Sequence, residues 1–279
     1  MEQTALINYE ALPLNAPTGA NYAALVDRVR ADLARDGCAV VKNTLTDAGR
    51  AALIAEADAT APFAHKSYNR TNAYFTKDDP SLPKHHPARQ FFDRSNAFVP
   101  ADNFAKSGPL RQIQDHPNFD AFIQACLQQD RFYRYADPLA DVIINTAGAG
   151  SGFPWHFDTN NFTVTLAIQN AEHGGAFEYA PNIRADGENF EEVARVLNGT
   201  SDKVTQLHLE PGDLQLFKGR YSLHRVAPLS GQRQRYVAIF SYVEEPDMVA
   251  TPERCKQLYG RVLPIHYERA GQRADDFID

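Results

Sequence analysis

The chain has 279 residues, 43% of them hydrophobic and 23% charged, which are globular values, and sheet barrels of over about 200 residues often form a single domain. Its net charge of -7 offers no general attraction for phosphate backbones or anionic lipid, so neither nucleic acid nor a membrane is expected as a partner. The first ten residues lack the basic region and apolar run of a signal peptide, no stretch reaches membrane-spanning length, and the three cysteines, Cys38, Cys126 and Cys255, are odd in number and far apart; a reducing cytoplasm is expected, without a disulfide framework.

In chain order, Leu6 to Ala20 reads as an irregular lead-in. A helix is expected from an Asn21 cap through Ala34, with Leu25, Val29 and Leu33 at helical spacing and Gly37 placed to stop it. Cys38 to Lys42 reads as a short strand, and Thr46 caps a second helix, Asp47 to Ala59, with Ala51, Leu53, Ile54 and Ala57 on its apolar face. Pro62 to Pro117 shows little periodicity and is expected to form a lid or wall over a site. Asn118 to Gln128 returns to helix, with Phe119, Phe122, Ile123 and Cys126 on one side.

Beyond Pro138 the character is β. Strands are expected at Asp141 to Thr146, Trp155 to Asp158, Phe162 to Gln169, Gly175 to Tyr179, Val204 to Leu209, Asp213 to Lys218, Leu223 to Ala227 and Gln234 to Val243, with one helix from Phe190 to Leu197. Eight short strands after two or three helices predict a mostly β, α+β fold: a double-stranded β-helix (jelly roll, cupin-like) with the N-terminal helices packed outside. One domain is expected over 1–279, comprising a helical part and lid (1–135), a jelly-roll core (136–246) and a C-terminal tail (247–279).

The chemistry centres on His156-Phe157-Asp158. If this stretch is extended, its imidazole and carboxylate point to one face, as two prongs of a metal site. His208-Leu209-Glu210 and His266-Tyr267-Glu268 have the same form. The first precedes a Pro-Gly turn and reads as strand-end surface groups, and the second has too little chain after it for a strand pair. A non-heme Fe(II) oxygenase site takes two histidines and a carboxylate on one face of the metal, and His224, on a later strand, is the candidate third ligand. Downstream, alternation places Arg235, Val237, Ile239 and Ser241 on one strand face. An arginine at the mouth of an apolar face costs desolvation unless a carboxylate pairs with its fork. Arg233, of the same parity but in the turn, is the reserve candidate.

His156-x-Asp158, His224 and Arg235, in that order, resemble the Fe(II)- and 2-oxoglutarate-dependent oxygenase family over roughly Asp141 to Val243. More narrowly, Trp155 to Thr165, Gly174 to Pro181 and Leu258 to His266 are similar to the bacterial group that holds radical halogenases of free amino acids and their hydroxylase relatives. The resemblance implies Fe(II) on His156, Asp158 and His224 as the catalytic metal triad, with 2-oxoglutarate as co-substrate, its far carboxylate on Arg235, and O2 as oxidant. The halogenating members carry a small residue such as Gly where Asp158 stands, which leaves a coordination position for chloride. Asp158 therefore implies hydroxylation of an unactivated carbon, with succinate and carbon dioxide as co-products.

The expected substrate is a free amino acid or similar small polar metabolite. Candidate contacts are Arg89 and Arg94 in the lid, Thr159, Asn160 and Asn161 beside the metal motif, and Glu178 on the following strand. Thr159 is neutral, so nothing there favours a second ammonium as in lysine. His85-His86 reads as a polar loop rather than a second metal site. Two other classes stay open: a cupin-like metal-dependent dioxygenase or isomerase without 2-oxoglutarate, and a non-catalytic jelly-roll binding module. Oligomerisation is left open.

Overall fold

Helix Ala20–Asp36 opens the computed structural model, which describes residues 5–269. Gly19 rather than Asn21 is its N-cap, and Gly37 ends it in the left-handed conformation (φ 64°) with its N–H on the Leu33 carbonyl. Helix Asp47–Thr60 is capped by Thr46, whose side chain accepts from the Gly49 N–H. Its buried positions include Leu53 and Ala57, whereas Ala51 is exposed. Helix Phe119–Leu127 buries Phe119, Phe122, Ile123 and Cys126 as its spacing predicts.

The larger sheet is antiparallel, in the order Cys38–Val41, Leu214–Phe217, Thr163–Gln169, Arg235–Val243, Val142–Ala147, Phe92–Val99 and His65–Thr71, with Tyr133–Arg134 paired to Arg235–Val243. A second sheet runs Thr205–Leu207, Phe177–Ala180, Leu223–Val226 and Phe153–His156. Side chains alternate across the large sheet. Val142, Ile144, Val164, Leu166, Leu214, Leu216, Ala238 and Phe240 join Val29, Leu33, Leu53, Phe119 and Phe122 in the main core. Their strand neighbours Ile143, Asn145, Thr163, Thr165, Gln215, Phe217, Val237 and Ile239 line a cavity whose other wall includes Phe153, His156, Phe177, His224 and Val226 of the second sheet. This is the expected jelly roll with helices outside, and its cavity lies between the sheets.

Three expectations are corrected. The segment from Pro62 to Pro117 does wall the cavity, through Phe75, Arg94 and Phe98, but it is not irregular: His65–Thr71 and Phe92–Val99 pair along their length and extend the large sheet. His65–Thr71 alternates only between half-buried and exposed as far as Arg70, so this edge strand carries no apolar alternation to read. Residues 247–279 are not simply a tail, because Pro252–Tyr259 and Pro264–Glu268 are helices; residues 270–279 lie outside the described residues. Finally, the strand Phe153–His156 ends before Asp158.

Candidate functional site

His156 ends its strand directly opposite His224, the two being antiparallel partners, and their ring centroids stand 4.2 Å apart. Asp158 joins them by a different device from strand alternation. The chain leaves the sheet at Phe157, whose N–H bonds the Ala73 carbonyl, and the Asp158 N–H then bonds the Gly219 carbonyl at 3.0 Å. This brings Oδ1 of Asp158 to 3.7 Å from Nε2 of His156 and 3.4 Å from Nε2 of His224. The approach requires a glycine at 219, since a Cβ there would stand 1.9 Å from Oδ2 of Asp158.

The donor set suits a divalent cation. Nδ1 of His156 contacts the Pro154 carbonyl at 2.8 Å and Nδ1 of His224 the Ser222 carbonyl at 2.9 Å. Each contact calls for Nδ1–H, which leaves an Nε2 lone pair facing the carboxylate, the arrangement of metal-ligating histidines. Without a cation between them, those lone pairs and the anionic Oδ1 repel. Burial holds the His156 imidazole well below its usual range, helped by the neighbouring His224, so it stays neutral and able to ligate. Burial pushes the Asp158 carboxyl up, yet the group lies well below the usual carboxylate range, with a hydrogen bond from the Thr163 hydroxyl among the contacts that favour its ionised form. Because Thr163 engages Oδ2, Oδ1 is the oxygen presented with the two imidazoles. All three ligand atoms lie within 4.8 Å of one another.

Arg235 faces this triad from the opposite sheet, beside Val237 and Ile239 in the same cavity of about 180 Å³. It is 8% exposed, and burial alone pushes its guanidinium down to about 10. Among the described residues no carboxylate pairs with it. A desolvated arginine without an acid is a site for an anion, and its fork suits a carboxylate.

A family model described as Halogenase D matches residues 23–259. The chain belongs to the halogenase D family. No curated protein matches it. Solved structures with the same fold include a prolyl hydroxylase from Trichoplax adhaerens in complex with a hypoxia-inducible-factor peptide (15% identity, 82% of this chain and 96% of that one, TM-score 0.53). EctD from S. alaskensis with 2-oxoglutarate and 5-hydroxyectoine shares 15% identity over 82% of this chain and 77% of that one (TM-score 0.50). The epimerase SnoN of nogalamycin biosynthesis, in complex with Fe3+ and alpha-ketoglutarate, shares 15% over 80% and 84% (TM-score 0.54). This halogenase D family member shares its architecture with those 2-oxoglutarate-binding enzymes. The triad has the chemistry to hold a divalent cation, and Arg235 that to hold a carboxylate.

In this member of the halogenase D family, the candidate substrate contacts separate. Arg94 lines the cavity at 3% exposure, its guanidinium carbon 4.6 Å from the Phe75 ring centroid and 4.9 Å from that of Phe153. Arg89 does not line it and instead pairs with Asp78 at 2.8 Å and the Leu82 carbonyl at 2.9 Å. Glu178 is engaged by Arg225 at 2.6 Å, and Arg225 in turn stacks on Trp155. The Thr159 carbonyl accepts from Arg220, Asn161 lines a different surface hollow with Lys218 and Tyr221, and neither these two nor Asn160 line the cavity. Arg233, the reserve, donates to the carbonyls of Asn170 and Ala171. His208 is exposed.

Phe75, Arg254 and Leu258 are wall residues that the sequence did not disclose. Phe75 has φ 61°, a conformation costly for a bulky side chain and one that marks functional sites when the surroundings enforce it. Asn72 enforces it here. Fully buried, its side-chain oxygen accepts from the N–H groups of Tyr74 and Thr76, and its amide donates to Thr76 and the Ala88 carbonyl. The knot sets Phe75 between the site and two guanidiniums, with its ring 5.5 Å from His156 and 4.7 Å from the Arg254 guanidinium carbon. Asp137, Cys255 and His266 form a second buried cluster, but Asp137 accepts from the N–H groups of Leu139 and Ala250 and from His266. The Leu263 N–H occupies Nδ1 of His266, so the cluster is a pin that fastens the C-terminal helices against the core.

Proposed function

We propose that this oxygenase is a hydroxylase of a free amino acid or similarly small polar metabolite. The observation that carries the reading is Asp158, whose Oδ1 converges with the Nε2 atoms of His156 and His224. With Asp158 beside the two imidazoles, three protein side chains would hold the metal, and the place that a small residue at 158 would leave to a halide is taken by a carboxylate.

When bound, iron with 2-oxoglutarate supplies the oxygen activation that allows hydrogen removal from an unactivated carbon. The chain's own part is positioning and shielding. His156 and His224 are held in one tautomer by backbone carbonyls, and Thr163 with Gly219 fixes the carboxylate. Arg235 anchors the far carboxylate of the co-substrate, and its depth in the apolar cavity keeps that ion pair from water. This task for Arg235 favours the reading over a metal enzyme without 2-oxoglutarate. Arg94 presents a cation on the substrate side.

The test is succinate formation by purified protein with Fe(II), ascorbate and 2-oxoglutarate across a panel of free amino acids, with mass analysis of products. Succinate coupled one-for-one to a hydroxylated amino acid supports the reading. A chlorinated product from the unaltered protein would overturn it.

A further inference from the structure

Resting on the hydroxylase reading, we propose that the substrate is an amino acid with an uncharged, apolar side chain, held by its carboxylate on Arg94 and presented to the metal triad by that side chain. Nε and Nη1 of Arg94 are buried without a hydrogen-bond partner among the described residues. Leaving charged donors unmade in this way is costly unless a ligand completes them. Burial holds the guanidinium well below its usual range, so a carboxylate that pairs with it offsets a desolvation already incurred. The rings of Phe75 and Phe153 each lie against both Arg94 and His156. Their centroids are 4.6 and 4.9 Å from the guanidinium carbon, and each is 5.5 Å from that of the imidazole. A carboxylate on Arg94 is therefore set off from the triad by an aromatic ring, and the carbons that reach the triad are those of the side chain.

The wall beyond Phe153 sets what that side chain meets. Phe98, Ile143 and Leu258 belong to one buried apolar cluster, with Phe153 and Ile239 packed against it, and all five line the cavity. The polar groups of the lining are engaged with one another or with the backbone: Thr163 donates to Asp158, Thr165 to Gln215, Gln215 to Cys38, and the Asn145 amide to the Ala97 carbonyl. Asn145 keeps an oxygen that suits the α-ammonium. Arg254 donates to Gln257 at 3.2 Å, and its guanidinium carbon is 4.7 Å from the Phe75 ring, at the Arg94 end of the cavity. Among the described residues Asp158 is the one carboxylate on the lining, and it belongs to the triad. A cationic side chain would thus be desolvated against the wall with no acid to pair with, whereas an apolar one gains by leaving water.

The experiment is calorimetric binding to the Fe(II)-loaded protein without oxygen at saturating 2-oxoglutarate, which keeps other carboxylates off Arg235. L-Norleucine is compared with L-lysine, which adds a terminal ammonium to the same chain, with L-glutamate, and with pentylamine, which lacks only the carboxylate of norleucine. Norleucine should bind at least about tenfold more tightly than each of the three. Arg94→Met should bring norleucine down to the pentylamine value, and Leu258→Ala should weaken it severalfold, while retained 2-oxoglutarate binding shows that each variant is folded. Should Arg94→Met fail to fold, the pentylamine comparison still decides the part played by the carboxylate. No binding of norleucine, lysine or glutamate binding as tightly, pentylamine matching it, or a norleucine affinity that survives Arg94→Met overturns the proposal while leaving the hydroxylase reading intact. Absence of 2-oxoglutarate binding by the unaltered protein would sink both.

Discussion

His156 and His224 stand opposite each other on adjacent antiparallel strands, and each has its Nδ1 tied to the carbonyl of the residue two before it in sequence, Pro154 and Ser222. The symmetry makes the two imidazoles equivalent arms of one site. His156→Ala or His224→Ala should therefore lose bound Fe(II) and turnover while far-ultraviolet dichroism stays unchanged. His208→Ala, at an exposed position, should change neither. Calorimetric iron titration of the three proteins checks this, and normal binding by His224→Ala would remove that residue from the site.

Arg235→Ala should weaken 2-oxoglutarate binding by about 1.5 to 3 kcal/mol, the range for hydrogen bonds to charged groups, on the order of ten- to a hundredfold in Kd. Arg233→Ala removes only donors to two loop carbonyls and should leave that Kd unchanged. If the two variants behaved in reverse, the anchoring role would belong to Arg233.

The double sheet was legible because the large sheet writes its two environments into alternate residues, as in Val142-Ile143-Ile144-Asn145 and Tyr236 to Ser241. The grouping of His156, Asp158 and His224 was legible because, unlike the other two His-x-acid triplets, His156-Phe157-Asp158 is followed by strong strands and a further histidine. The path of Asp158 was not. It depends on the Gly219 carbonyl and on open space above Gly219, contacts about sixty residues away in sequence that no local periodicity encodes. His65–Thr71 was missed because an edge strand in partial solvent needs no apolar face. Arg254 was missed because nothing in Pro252 to Tyr259 says that the Asp137–His266 pin draws this helix onto the cavity.

Gly219→Ala tests that path directly. The added methyl would overlap Oδ2 of Asp158, so the carboxylate must swing away from the imidazoles and from Thr163. Iron affinity should fall clearly with little loss of stability, and Thr163→Val, which only frees Oδ2, should give a smaller loss. Equal iron titrations for Gly219→Ala and the parent would show that the carboxylate is not held there.

Asn72→Ala should cost stability and function together. It removes a fully buried side chain that satisfies backbone groups of Tyr74, Thr76 and Ala88, a loss of about 3 kcal/mol, which corresponds to roughly 6 to 12 °C in Tm. Phe75 would no longer be held in its left-handed conformation, so the platform for Arg94 loosens. Substrate KM should rise more than the Kd for 2-oxoglutarate, because the Phe75 ring packs on Arg94 and His156 and not on Arg235. A variant with parental Tm and KM would remove the knot from any role.

Asp158→Gly addresses the outcome of the reaction. It keeps His156 and His224, removes the anionic ligand and opens a metal position, so chloride or azide should bind and alter the Fe(II) spectrum. Activity should nevertheless drop steeply, because losing the carboxylate weakens iron binding. The surroundings also remain built around a carboxylate: Thr163 donates to Oδ2 and Gly219 leaves space for that oxygen, and neither aims a substrate carbon at a halide. The expected result is 2-oxoglutarate consumption uncoupled from product, with at most a trace of chlorinated substrate by mass analysis. Efficient chlorination by the variant would show that the side chain at 158 alone separates the two reactions in this chain, and that the rest of the cavity already holds a halide and a substrate in productive order.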